Sequence, residues 1–462
     1  MSHSAAILWD TDLIRRYDQA GPRYTSYPTA LSFAPVATPA ETLDQALAER
    51  DQRKPLSLYL HIPFCAHVCY YCGCNKVVTA DRARAKPYLE VLHREIELRA
   101  AQLPERPVVE QLHWGGGTPT FISMEETAAL MAKLREQFNL LPDDSGDYSI
   151  EIDPREMSIE RLTQLRELGF NRISLGVQDL DPKVQRAVNR VQPLEMTTGL
   201  IEAARELGFR SINIDLIYGL PHQTEASFRA TLDTVLKIRP DRLSVFNYAH
   251  LPERFKPQRR ISAEDLPDAP TKLAIHHNSI DQLTQAGYRN IGMDHFALPE
   301  DSLSLAQQAG ELHRNFQGYT THGNCDLLGL GVSSISQIGD YYLQNSPDLP
   351  TYNSMVMNQG SALAKSYKMS ADDQVRRTLI NRLICDFEIN YEELCAQTGV
   401  DVPDYFAAEL EQLALMQAEG LVKLDAAGLE VLPLGRLLIR RICMTFDAYI
   451  NQPTERRYSR II

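Results

Sequence analysis

No run of about 18 consecutive apolar residues occurs anywhere in the chain, so no membrane-spanning helix is expected. The first residues, MSHSAAILWDTDLIRRYD, carry acids within their apolar stretch and lack the basic-then-apolar order of a secretory signal. The chain is therefore expected to be uncleaved and cytoplasmic. Positive charge is in short supply, with 47 Lys and Arg against 60 Asp and Glu, a net −13. That balance argues against nucleic acid as a partner, and it obliges an anionic substrate to find a local basic pocket. Cysteine is too sparse for a disulfide scaffold, eight in 462 residues. Internal repeats and low-complexity tracts are missing too. With 44% hydrophobic and 23% charged residues, the chain has the composition of a globular protein and not of a disordered one. It is long enough for more than one domain.

The few cysteines are unevenly spread. Four lie in HIPFCAHVCYYCGCN, residues 61–75, as Cys65, Cys69, Cys72 and Cys74 with the spacing C-x3-C-x2-C-x-C. The others, Cys325, Cys385, Cys395 and Cys443, read as small buried hydrophobes. A structural zinc site usually draws two separated pairs of ligands, which one ten-residue loop supplies poorly. A redox pair of Cys69 and Cys72 would leave Cys65 and Cys74 without a role. Three thiolates on an iron–sulfur cluster, with one iron left open, fit the spacing better.

From residue 56 the pattern alternates. Short apolar and β-branched runs (LSLYLHI, EQLHWGG, YSIEID, NRISLGV, SINIDLIYG, DRLSVFNYA) are each followed by a helical stretch such as AKPYLEVLHREIELRAAQ or SMEETAALMAKLREQF. Repeated strand–helix units predict an α/β fold with a parallel sheet and right-handed crossovers. A seventh strand-like run, YRNIGMDHFA, follows a helix near 270–286. Whether six units form an open sheet or a partly closed barrel is not decided by periodicity. In both cases ligands sit at the carboxyl ends of the strands. That is where Gly115, Gly116, Gly117, Glu151, Asp153, Gln178, Asp215, Asn247 and His250 fall. The glycines let backbone approach a ligand closely, or simply make a tight turn. Glu151 and Asp215 suit hydroxyl or ammonium groups of a ligand, or else cap the following helices, as Asp153 is placed to do before Pro154. After about residue 365 the chain reads as amphipathic helices around a short strand pair, LVKLDAAGLEVL.

The cysteine loop resembles the signature of radical S-adenosylmethionine (SAM) enzymes. Together with GPRYTSYPT, HWGGGTPT, EIDPRE, LGVQDLDPKVQRAVNR, NIDLIYGLP, FNYAHLP and HRNFQGYTT, it resembles the oxygen-independent coproporphyrinogen III oxidase family. The resemblance implies a partial (βα)6 barrel over 51–310, preceded by an arm and helix at 1–50. A connecting segment at 311–364 completes the active site, and a small, mainly helical domain spans 365–462. It implies a 4Fe-4S cluster held by Cys65, Cys69 and Cys72, and two SAM molecules. Tyr59, Gly116 and Glu151 would contact the first; Gly117, Thr118, Tyr71, Gln178, Arg190, Asp215, Ala249 and Ile335 would contact the second. Arg190, in QRAVNRVQ, also reads as an ordinary solvated helix residue. Cys74 is either a passive neighbour or a residue reserved for catalysis. Arg23 and Arg314 are candidates for gripping substrate carboxylates, because a fork of donors matches a carboxylate.

The reaction implied is decarboxylation of two propionates of coproporphyrinogen III to vinyl groups, giving protoporphyrinogen IX for haem synthesis. It needs a low-potential electron donor and a separate electron acceptor, and a monomer is expected. Two other readings compete. A haem-binding chaperone of the same superfamily is disfavoured by Cys74 and the GPRYTSYPT arm. A simple iron–sulfur electron carrier would leave the six strand–helix units without a purpose.

Overall fold

Residues 7–450 are described by the structure, a computed structural model. Each of the six apolar runs becomes a strand: β1 (Leu56–Ile62), β2 (Val108–Gly116), β3 (Asp147–Ile152), β4 (Arg172–Gln178), β5 (Ser211–Tyr218) and β6 (Arg242–Asn247). All are parallel, in the order β1-β2-β3-β4-β5-β6. Between them run α1 (Ala85–Ala101), α2 (Met124–Gln137), α3 (Ile159–Glu167), α4 (Leu194–Glu206) and α5 (Glu225–Ile238), with α6 (Ala269–Gln285) after β6. The start of α2 is set by a capping box between Ser123 and Glu126, which satisfies two otherwise orphaned backbone N–H groups.

The expected partial six-unit barrel is present, and the structure extends it. A further strand, β7 (Asp326–Leu330), pairs in parallel with the free side of β1. It is followed by an antiparallel series, β8 (Ile335–Ile338), β9 (Tyr341–Asn345) and β10 (Leu363–Lys368). Glu95 of α1 pins this extension, accepting hydrogen bonds from Gly331 N, Asn345 Nδ2 and Tyr352 Oη, each at 2.7 Å. A buried carboxylate is tolerable because its oxygens are so fully used.

Contacts divide the chain into two compact units whose boundaries differ from the four consecutive stretches expected. The barrel unit holds residues 34–275 and 324–368; the other, the arm unit, holds residues up to Phe33, 276–323 and those from Met369 onward. The expected arm, 1–50, splits because Ala34 and Pro35 pair with β10 and so join the sheet. The expected connecting segment, 311–364, splits between residues 323 and 324. The first six residues of the arm and the last twelve of the C-terminal stretch lie outside the described residues.

In the arm unit, Leu379, Leu383, Phe406, Leu438 and Phe446 belong to one apolar core. The run YRNIGMDHFA is not one strand but a hairpin, Arg289–Gly292 with His295–Ala297, reversed through Met293 at φ 47°. The arm lies on the C-terminal helix Ile439–Thr445 and the residues after it. Tyr24 Oη donates to Asp447 Oδ2 at 2.9 Å, and Tyr27 Oη accepts from Ala448 N at 3.1 Å. Of the scattered cysteines, Cys385 and Cys443 are buried as expected, but Cys325 is half-buried and Cys395 is exposed. Cys395 sits on the helix Tyr391–Thr398, whose buried residue is Leu394.

Candidate active site

Alternation along the parallel strands builds the site. In β3, β4 and β5 the fully buried apolar residues share one face, whereas Ser149, Glu151, Ser174, Gly176, Gln178, Asn213 and Asp215 occupy the other together with the partly buried Ile217. Strand register puts Glu151 opposite Ser174, Ser174 opposite Asn213, and Gly176 opposite Asp215. Period-two alternation thus collects polar groups at the carboxyl ends of neighbouring strands. Glu151, Ser174, Gly176, Gln178 and Asp215 share a cavity of about 270 Å3 with the cysteine loop.

The loop leaves β1 and is held by backbone. Thr79 N donates to Cys65 O at 2.9 Å, Tyr70 N to Val188 O at 3.0 Å, and Cys72 N to Cys69 O at 3.3 Å. Cys65, Cys69, Cys72 and Cys74 all line the cavity. Positive charge gathers on Cys69: Arg190 Nη1 lies 3.3 Å and Arg155 Nη2 3.4 Å from its sulfur. Asp153 balances both arginines, at 2.6 Å from Arg155 and 3.0 Å from Arg190. Burial works against the Asp153 carboxylate, yet hydrogen bonds from Arg155 and the charge of Arg190 hold its pKa below the ordinary value. Thr118 Oγ1 donates to Cys65 Sγ at 3.5 Å, while burial pushes that thiol up to about 11. Cys72 moves the other way, to about 5, chiefly through hydrogen bonding by Cys74.

The glycines are required where they stand. Gly116 has φ 116° and a Cβ there would fall 2.8 Å from the His61 ring; at Gly117 it would fall 2.8 Å from the Phe64 and Pro63 backbone. Across from them Glu151 Oε1 is 3.3 Å from His113 Nε2, and His113 Nδ1 is 2.6 Å from Ser149 Oγ. Asp215 accepts from Ser174 Oγ at 3.0 Å and Asn213 Nδ2 at 2.8 Å. Its pKa is raised by burial and by the charge of Glu151.

Most of the expected site residues meet here. Gly116, Gly117, Thr118, Tyr71, Glu151, Gln178, Arg190 and Asp215 line the cavity with the cysteines. Neither Glu151 nor Asp215 caps a helix, since both lie within strands. Asp153 does cap the short helix Pro154–Glu156. Arg190 is no solvated helix residue: it is 6% exposed, beyond the helix Pro182–Ala187. Tyr59 lies on β1, stacked on His113 with ring centroids 5.9 Å apart. Ala249 is exposed beyond β6, and Ile335 opens β8; these three are not among the cavity-lining residues. Arg23 and Arg314 belong to the arm unit. Sequence reasoning missed Arg155, His61 and His113 as site residues. The first adjoins Asp153 in EIDPRE, and the histidines sit in the HIPFC and LHWGGG motifs, so the motifs themselves were the available signal.

Three buried or half-buried thiols opening to one cavity, with cationic donors on Cys69, suit an iron–sulfur cluster, because thiolates are its ligands and donors to sulfur tune it. Residues 59–235 match the Radical SAM superfamily, and residues 369–438 match the HemN C-terminal domain. Over 459 residues the chain is 57% identical to an oxygen-independent coproporphyrinogen III oxidase of Pseudomonas aeruginosa, covering 99% of each chain. The chain belongs to this oxidase family. Its counterpart of the same name in Escherichia coli K12 is 51% identical over 455 residues, 98% of each chain. A solved structure of coproporphyrinogen III oxidase (HemN) from Escherichia coli, described as a radical SAM enzyme, matches with TM-score 0.92 and 50% identity. That match covers 96% of this chain and 100% of the other. As members of the radical SAM superfamily, oxidases of this family use a 4Fe-4S cluster and SAM. No helix among the described residues is long and apolar enough to cross a membrane.

Proposed function

We propose that this chain catalyses the oxygen-independent decarboxylation of coproporphyrinogen III to protoporphyrinogen IX. The supporting observation is the cysteine-lined cavity at the carboxyl ends of the strands, in a chain whose relatives carry that activity in their names. In each of two rounds a propionate, –CH2–CH2–COO−, gives up one hydrogen atom and one electron and releases CO2, leaving –CH=CH2. A 4Fe-4S cluster with SAM supplies, once reduced by a low-potential donor, the 5′-deoxyadenosyl radical that accepts the hydrogen atom. The electron lost by the substrate passes to a separate acceptor.

The chain's residues divide the remaining work. Cys65, Cys69 and Cys72 would hold the cluster, and Arg155 and Arg190 offset the charge on the Cys69 sulfur. The backbone at Gly116 and Gly117 can approach a ligand closely. Glu151, oriented by His113, would accept hydrogen bonds from SAM together with Tyr59 and Gly116. Gly117, Thr118, Tyr71, Gln178, Arg190, Asp215, Ala249 and Ile335 are proposed for a second SAM. Arg23 and Arg314 are proposed for the substrate's carboxylates. The enzyme is proposed to act as a cytoplasmic monomer.

The test is an anaerobic assay of reconstituted protein with coproporphyrinogen III, SAM, a chemical reductant and cell extract as acceptor. Mass spectrometry should show 5′-deoxyadenosine and loss of two CO2 units, both abolished in Cys69→Ala. If 5′-deoxyadenosine forms without decarboxylation, the substrate assignment is wrong. Tight stoichiometric haem binding with neither product would favour the chaperone reading.

A further inference from the structure

Positive charge, scarce in the chain as a whole, is concentrated beside the cysteine loop. Four of the 47 basic residues, Arg254, Lys256, Arg259 and Arg260, fall within seven positions of LPERFKPQRR, residues 251–260, against one acid, Glu253. The segment follows β6 and ends in the short helix Lys256–Arg260. All four cations are exposed. Their partners among the described residues carry no negative charge. Arg259 Nε donates to Pro252 O at 3.0 Å, and Arg260 Nη1 donates to Tyr70 Oη at 3.1 Å. The guanidinium carbon of Arg254 lies 5.4 Å from the centroid of the Phe255 ring.

The same segment is strapped to the residues between the cysteines. Gln258, 2% exposed, donates from Nε2 to Tyr71 O at 2.8 Å and to Ala249 O at 3.2 Å, and its Oε1 accepts from Leu251 N at 2.6 Å. One buried glutamine thus ties the strap both to the loop and to the residues after β6. A Cβ on Gly73, between Cys72 and Cys74, would fall 3.1 Å from Phe255 Cζ, so that ring touches the loop. Tyr70 and Tyr71 pack against the apolar cluster that holds Ile261 and Tyr248. Gly73 and Cys74 are themselves exposed, so the loop reaches the surface beside the cations. The two other exposed cations at this loop, His67 and Arg82, both face Glu156 and offer less net charge than the strap.

We infer that this strap is the docking face for a small, acidic electron-carrier protein. The inference rests on the proposed reaction, which consumes one low-potential electron for each SAM cleaved. That electron leaves the reduced carrier's own redox centre and enters this chain at the cysteine loop, with no bond made or broken in the transfer. An acidic partner is repelled by a chain of net charge −13, so a local basic face both attracts it and fixes where it lands. The place of the face selects the occupant. A carrier must come to rest close to the thiolates, and the Phe255–Gly73 contact and the Arg260–Tyr70 bond set the cations against the loop that bears them.

A plant-type ferredoxin, an acidic iron–sulfur carrier of low potential, is the probe. Calorimetry measures binding of the oxidised ferredoxin to the reconstituted holoenzyme, and SAM cleavage is followed with either reduced ferredoxin or dithionite as the reductant. Binding should weaken as salt rises from about 0.05 to about 0.5 M. The triple variant Arg254→Glu, Lys256→Glu, Arg259→Glu should bind about tenfold more weakly and lose ferredoxin-driven cleavage by a similar factor. Its iron content, dithionite-driven cleavage and KM for coproporphyrinogen III under dithionite should stay parental. Arg260 is left in place because it holds Tyr70. Lys256→Glu alone should weaken binding about threefold, and it decides alone if the triple variant loses iron. The charge-keeping pair Arg254→Lys, Arg259→Lys should bind as the parent does. An intact triple variant with parental affinity, or wild-type protein that does not bind ferredoxin, overturns the docking face. A KM raised under dithionite assigns the strap to substrate capture and overturns it too. Wild-type protein with an intact cluster that cleaves no SAM even with dithionite overturns the proposed reaction itself.

Discussion

Asp153 does more for the site than its role as a helix cap. Its carboxylate is shared by Arg155 and Arg190, both of which also reach Cys69. Removing one partner of a buried charge group leaves the others uncompensated, at a cost of about 3–5 kcal/mol. Asp153→Ala should therefore lose roughly that much stability in urea denaturation, and its iron content should fall as the loop around Cys69 loosens. Cys74 stands in contrast. It is exposed, its backbone N–H donates to Cys72 Sγ at 3.4 Å, and a three-thiolate cluster does not need it as a ligand. Cys74→Ala should keep the iron content of the parent, measured per chain, whereas Cys69→Ala should not. A drop in Cys74→Ala equal to that in Cys69→Ala would make Cys74 a fourth ligand.

Among the elements, those that declare themselves locally were legible in the sequence. The six parallel strands and most helices between them follow from runs of apolar residues punctuated by caps, and β1 is buried along almost its whole length, as parallel strands tend to be. β7 was not legible. DLLGL is short, and only its pairing with β1, far earlier in the chain, together with the Arg50–Asp326 ion pair at 2.9 Å, makes it a strand. The break of YFAAELEQLALMQAEGLVKL into the helices Ala407–Gln412 and Ala414–Ala418 before a strand was equally invisible to helical periodicity. At the candidate site, the cysteines and glycines were read from spacing, and the carboxylates Glu151 and Asp215 from their strand-end positions with help from family resemblance. Arg155 escaped because its role depends on where the loop carrying Cys69 comes to rest. The capping box of α2 gives a test at this scale. Ser123→Ala should cost about 1 kcal/mol in urea denaturation and leave iron content unchanged, since Ser123 is not among the residues lining the cavity.

For the molecule as a whole, acid and base stability carry opposing contributions that meet at Arg382. Asp386 pairs with Arg382 at 2.8 Å, yet burial raises its pKa from 3.8 to about 6; Arg382 works against that rise, while Glu388 and Glu393 add to it. A folded-state value above the unfolded one means stability that is complete below pH 3.8 and is lost as pH rises through about 6. His313 does the reverse. Burial, then the charge of Arg382, lowers its pKa from 6.5 to about 4, so its contribution is complete above pH 6.5 and is lost as pH falls through about 4. Each shift corresponds to about 3 kcal/mol across its window, and the two slopes largely cancel between pH 4 and pH 6 in the parent. Removing either group uncovers the other. Relative to the parent, holoprotein carrying Asp386→Asn should gain stability as pH rises from 4 to 6, and His313→Gln should lose it over the same range. Urea denaturation at half-unit pH steps would read both slopes. Parallel curves for all three proteins would mean that neither group changes its protonation on folding.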